Sequence, residues 1–71
     1  MFPKRLNEVR KAKGISAQKM ADELYINVRG YRRYESGDTT PPLYTALKIA
    51  DILGVSLDYL LGRTNNKEVD H

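Results

Sequence analysis

Arg29, Arg32 and Arg33 follow i, i+3, i+4 spacing, so on an α-helix their three guanidinium groups share one face. A guanidinium is permanently charged and presents a planar fork of donors that matches paired oxygen acceptors. Three on one face suit a polyanion. The segment that carries them, NVRGYRRYESG, has its own punctuation: Asn27 can accept from the free amides of a first turn, and Gly37 can take the left-handed conformation that ends a helix. Tyr31 and Tyr34 fall on the other side of the same helix and are expected to turn inward. Catalytic chemistry is poorly supplied. There is no cysteine, the only histidine is the last residue, His71, and no glycine-rich phosphate loop follows a strand. Without a nucleophile–base pair or a metal-ligand cluster, an enzyme, a metal site and a cofactor are all unexpected.

The elements that position these arginines are all helical. Pro3 suits the first position of a helix that sets Phe2, Leu6 and Val9 along one stripe and stops at Gly14. Ser16 caps a second helix, about residues 16–24, with Met20, Ala21 and Leu24 as its apolar side. Only Tyr25, Ile26 and Asn27 separate it from the arginine helix, about 27–36, so the two must cross steeply through a tight turn. The loop Asp38–Pro42 leads into a fourth helix. Leu43, Ala46, Leu47, Ala50 and Leu53 form its expected buried stripe, widened by Ile49 and Ile52. Gly54 ends it, and Ser56 caps a short last helix, LDYLL, closed by Gly62. Residues 63–71, RTNNKEVDH, are polar and without pattern and are expected to form a flexible tail. The reading is an all-α, compact five-helix domain over residues 1–62.

The chain has 71 residues, enough for one small core. Its net charge of +3 is unevenly placed. Residues 1–37 carry nine Lys/Arg and four acids, net +5, while residues 38–71 carry three and five, net −2. The first half is the one expected to face a polyanion. No apolar run approaches the roughly 18 residues that span a bilayer, and no leader pattern is visible, so a soluble, cytoplasmic, nucleoid-associated protein is expected. No small-molecule ligand is evident.

Two short helices joined by a tight turn, within five helices, resemble the lambda-repressor/Cro-like (XRE-type) helix-turn-helix family. The resemblance covers about residues 5–61. Ser16 matches the first cap, Ala21 the close helix–helix contact, Ile26 the apolar residue after the turn and Asn27 the second cap. Tyr31, Tyr34, Glu35 and Gly37 match the inward positions and end of the third helix, and ADILGVSLDYLLG the fourth and fifth helices. The resemblance implies sequence-specific binding of double-stranded DNA by a transcriptional regulator, a repressor of bacterial or phage type, with the third helix in the major groove. Val28, Arg29, Arg32 and Arg33 would then face DNA, Arg29 or Arg33 reading bases, Arg32 holding phosphate, and Val28 available to a thymine methyl. Thr39 and Thr40 would hold phosphate from the loop. Arg10 and Glu35 match positions that form a structural ion pair.

Three positions depart from the family's pattern. Ala17 stands where a phosphate-gripping Gln is common, a contact that Gln18 could replace. Tyr25 stands where the turn commonly has Gly, an awkward place for a residue with a Cβ. Gly30 stands within the reading helix, either for close backbone approach to the groove or simply tolerated. One recognition helix covers few base pairs, so the resemblance also implies a homodimer on a pseudo-palindromic operator. Leu57, Leu60 and Leu61 are divided between core and dimer seam. The competing class is a protein-binding adaptor, of antitoxin or anti-repressor type, on the same fold; it would have no need for three arginines on one exposed face.

Overall fold

Short polar side chains stand where helices must begin, and each catches a first-turn amide. In the computed structural model, which describes residues 1–67, α1 spans Phe2–Ala12, α2 Ala17–Leu24, α3 Val28–Ser36, α4 Leu43–Leu53 and α5 Leu57–Leu60. No strand occurs among the described residues. The Ser16 hydroxyl accepts from the Lys19 amide at 3.0 Å, Asn27 Oδ1 from the Gly30 amide at 2.7 Å, and the Ser56 hydroxyl from the Tyr59 amide at 3.0 Å. Such caps contribute about 1 kcal/mol each. Helix α1 begins one residue ahead of Pro3, whose missing amide costs nothing in the first turn.

The core gathers Leu6 and Val9 from α1, Met20 and Leu24 from α2, Tyr31 from α3, and Ile49 and Leu53 from α4, with Leu60 closing it from α5. Helix α3 packs on both α1 and α2, α4 on α2, and α5 on α1 and α4. The recognition helix candidate is thereby held from behind on two sides, with its third side left open. Tyr34 is only half-buried, meeting Tyr31 edge-on with ring centroids 6.5 Å apart.

Several sequence expectations need correction. The buried stripe of α4 is Ala46, Ile49, Ala50 and Leu53. Leu43 and Leu47, expected inside, are 70% and 46% exposed. The apolar positions of α4 cover more than one face, and contact with α2 and α5 selects the Ile49 side. Leu60 is fully buried and is core, not seam. Leu57 is half-buried and Leu61 exposed, because a single turn can point only one of the three leucines at the core.

Residues 63–67 do not leave the domain as a free tail. The Arg5 guanidinium donates to the carbonyls of Tyr59 and Thr64, both at 2.8 Å, and to Asn65 Oδ1 at 3.0 Å. The Ser56 amide donates to the Lys67 carbonyl at 2.9 Å. Arg5 also lies 4.3 Å from the centre of the Tyr59 ring, and the Lys67 ammonium 5.6 Å from it. The segment is a strap from α1 across the start of α5. The remainder of the expected tail, residues 68–71 with His71, lies outside the described residues.

Candidate nucleic-acid interface

The arginine face is made by what α3 buries. Tyr31 is fully buried and Tyr34 and Val28 pack partly against the core, which leaves Arg29, Arg32 and Arg33 on the solvent side. All three are exposed, and no acid among the described residues pairs with them. Their charge is therefore available to a ligand. Three of the six other basic residues of the first half are already engaged, while Lys4, Lys11 and Lys13 are exposed on and just after α1. Arg5 holds the strap, Arg10 is committed to Glu35, and Lys19 pairs with Glu23 at 3.2 Å on the surface. The positive excess in the sequence is thus spatially narrower than the +5 of residues 1–37 suggests. Val28, expected to face the same way, offers only part of its surface.

The remaining expected site residues surround this face unevenly. Asn27 is exposed and spends its side-chain oxygen on the Gly30 amide. A Cβ on Gly30 would lie 3.3 Å from that same oxygen. The absence of a side chain there thus leaves room for the cap, a reason unconnected with groove approach. Gln18 is exposed on α2 and donates to Asp22 Oδ1 at 2.9 Å, whereas Ala17 is buried. Thr39 and Thr40 are exposed in the loop after α3, the Thr39 amide bonded back to the Arg33 carbonyl at 3.3 Å. Tyr25 does adopt the left-handed conformation, with φ 58 and ψ 39. Its ring is 88% exposed and sits beneath the Lys48 ammonium, 4.8 Å from the ring centre.

Behind the face, Glu35 ties α3 to α1. Arg10 Nε reaches Oε2 at 2.5 Å and Nη2 reaches Oε1 at 3.1 Å, a bidentate pair with both side chains 11% exposed. Arg10 Nη1 spans on to the Ile15 carbonyl at 2.8 Å. Asn7 donates to Oε1 at 2.7 Å, and the Tyr31 hydroxyl donates to Oε2. Burial pushes the Glu35 carboxyl up, but the hydrogen bonds from Arg10, Tyr31 and Asn7 outweigh it and hold the group below its ordinary range. The hydrogen bond to Glu35 raises Arg10 further. Burial, and then the bond to Glu35, raise the Tyr31 hydroxyl, so it stays protonated as a donor. The sequence reading found Arg10 and Glu35 but missed Asn7 and the Tyr31 hydroxyl. Signals existed: Tyr31 and Glu35 are i, i+4, Asn7 and Arg10 are i, i+3, and a buried tyrosine hydroxyl needs a partner.

The helix-turn-helix family profile matches residues 6–60, spanning every one of these elements except the start of α1. The chain belongs to the helix-turn-helix family. It is 49% identical over 65 residues to the SPbeta prophage-derived HTH-type transcriptional regulator YonR of Bacillus subtilis (strain 168), covering 92% of this chain and 60% of that one. It is 44% identical over 59 residues to the cryptic phage CTXphi transcriptional repressor RstR of Vibrio cholerae, covering 83% and 53%. The chain thus spans between half and two-thirds of the length of these relatives. Among solved structures it resembles the master regulator for biofilm formation SinR in complex with DNA. That match has a TM-score of 0.77 and 27% identity, and covers 86% of this chain and 98% of that one. Five helices without strands is the architecture the family resemblance implied. No helix among the described residues is long and apolar enough to cross a membrane.

Proposed function

We propose that the protein is a sequence-specific double-stranded DNA-binding transcriptional regulator, acting as a repressor of bacterial or phage type. The observation that carries this reading is the α3 face: three guanidinium groups exposed on a capped helix, with no acid among the described residues to neutralise them. Helix α3 enters the major groove. Arg29 or Arg33 forks onto guanine O6 and N7, Arg32 holds phosphate, and the exposed part of Val28 meets a thymine methyl. Gln18, Thr39, Thr40 and the start of α3 at Asn27 and Gly30 hold the flanking backbone, positioning the helix without reading sequence. An adaptor that bound only proteins would leave the three free arginines without a role.

A single recognition helix covers too few base pairs for a regulator, so the protein acts as a homodimer on a pseudo-palindromic operator. The half-site centres lie about 34 Å apart, one turn of DNA. Its place is the cytoplasm, on the nucleoid. The supporting experiment is selection of bound duplexes from a random pool, followed by titration of affinity against salt. A palindromic consensus and a steep logarithmic loss of affinity with salt, about 0.9 per phosphate neutralised, are expected. Absence of any enriched sequence overturns the reading.

A further inference from the structure

The end of α1, the α4–α5 turn and the strap meet around a cavity of about 280 Å³. Val9 and Val55, both buried, line it together with Ala12 and Gly54. Lys13 and Lys67 complete the lining, and no acid among the described residues borders it. Neither lysine has an acid partner among those residues. The Lys13 ammonium lies beside the end of α4, where a Cβ on Gly54 would sit 3.9 Å from Nζ. Two carbonyls at that end, those of Ala50 and Asp51, are already bonded to the Val55 and Gly54 amides. The Lys67 ammonium, 5.6 Å from the centre of the Tyr59 ring, is near the outer limit of a cation–π contact. Nothing in the local sequence marks this place, because its walls come from three separate segments.

We propose that this cavity binds a small aliphatic carboxylate of about six carbons, its chain against Val9 and Val55 and its charge between Lys13 and Lys67. Apolar walls with a few polar groups at one place are the usual make-up of a small-molecule site. Two like charges brought to one cavity repel each other, and an anion between them turns that repulsion into attraction. A bare inorganic anion would leave the valines uncovered, and a neutral chain would leave both ammonium groups without a partner. The neighbouring groove between α4 and α5 is bordered by Asp51 and Asp58, so an anion is directed to this cavity and away from that one. Liquid water takes about 30 Å³ per molecule, so a cavity of about 280 Å³ has room for about nine groups of that size. Hexanoate, with six carbons and two oxygens, fits that space. No residue of α3 or of the loop Asp38–Pro42 lines the cavity, so the site is independent of the DNA-binding reading. A bound carboxylate ties α1 to the strap, whose Lys67 carbonyl accepts from the Ser56 amide.

The test is titration of the ¹⁵N-labelled full chain with hexanoate at low salt, followed by amide chemical shifts, with hexanol, hexylamine and inorganic phosphate as controls. Hexanoate is expected to shift the amides of Val9, Ala12, Lys13, Gly54 and Val55 saturably, with a Kd of about 1–10 mM for so small a ligand, and to slow exchange of the Ser56 amide. The controls are expected to bind about tenfold more weakly or worse. Lys13→Met and Lys67→Met keep the apolar stems and remove the charge. Each is expected to weaken hexanoate by about tenfold while binding hexanol as wild type does, with circular dichroism unchanged. Ala12→Leu fills the cavity from an exposed helical position and abolishes binding; it decides the matter should a lysine variant fail to fold. Hexanol or phosphate binding as tightly as hexanoate overturns the proposal, as does the absence of saturation by about 100 mM. A gain of about tenfold in hexanoate affinity for Glu68→Gln/Asp70→Asn would assign the cavity to the chain's own carboxylates and overturn it likewise.

Discussion

Glu35→Gln is the substitution that most sharply separates structure from recognition. It preserves shape while removing the charge and one of two acceptor oxygens. Four donor contacts converge on the carboxylate: Arg10 Nε and the Tyr31 hydroxyl on Oε2, Arg10 Nη2 and Asn7 on Oε1. Whichever way the amide is turned, its NH₂ meets two donors in place of accepting them. The Tyr31 hydroxyl can rotate to accept in one orientation, but the guanidinium cannot. Arg10 is left nearly buried with half its charge-assisted partners gone. Hydrogen bonds to charged groups contribute about 1.5–3 kcal/mol each, so a loss of about 3 kcal/mol is expected. A domain of this length holds only about 4–10 kcal/mol in total, and a Tm drop of roughly 12–24 °C follows from the usual scaling. Thermal and urea unfolding followed by circular dichroism measure it. The consensus selected from a random duplex pool, determined well below the variant's Tm, stays unchanged, because Glu35 lies behind α3. The folded pKa of Glu35 is lowered, so its stabilisation is complete above the unfolded value of about 4.3 and is lost as pH falls through the lower folded value. The gap between wild type and variant therefore narrows below about pH 4. A Tm within about 2 °C of wild type at pH 7, or a changed consensus at equal stability, would falsify this account.

Replacing Arg29 or Arg33 with alanine is expected to relax the consensus at one base pair, with about 1–3 kcal/mol less discrimination; Arg32→Ala lowers affinity evenly across sequences and reduces the salt slope by about 1, both read by fluorescence anisotropy at several salt concentrations. Tyr25→Gly releases left-handed strain of about 1–2 kcal/mol, offset by greater freedom of the unfolded chain and loss of the Lys48 contact. A net change under about 1 kcal/mol in urea unfolding is the expected result, and a large loss of stability would refute the strained-turn account. Arg5→Ala removes two hydrogen bonds to the strap and one to the Tyr59 carbonyl of α5, and is expected to destabilise by about 2 kcal/mol. Amide exchange at Ser56, which donates to the Lys67 carbonyl, accelerates in that variant while the capped Tyr59 amide stays comparatively protected.

Much of the fold was legible because it is written locally. A cap is a contact within three residues, so Ser16, Asn27 and Ser56 announce their helices whatever surrounds them. The arginine face follows from the same helical period, with Tyr31 on its far side. Long-range choices were less legible. Leu43 and Leu47 lie on an acceptable apolar stripe, as do Ala46, Ile49 and Leu53. Only the position of α2 and α5 decides which stripe is covered. Arg5 reads as one more positive charge until the chain returns some sixty residues later to present three acceptors to it. Gly30 drew attention as a departure from pattern, and only the cap geometry shows that a Cβ would crowd Asn27.

By itself the sequence determined the number and ends of the helices, the family, and which three guanidinium groups share one exposed side, because these depend on helical period, caps and short motifs. The tertiary structure decided how those charges are distributed in use. Arg10 and Arg5 are drawn inward by Glu35 and by backbone carbonyls distant in sequence, while Arg29, Arg32 and Arg33 have no acid partner among the described residues. It also decided that Leu60 fills the core while Leu47 stands outside it. Burial is settled by neighbours brought together across the chain, which a local pattern constrains but does not choose.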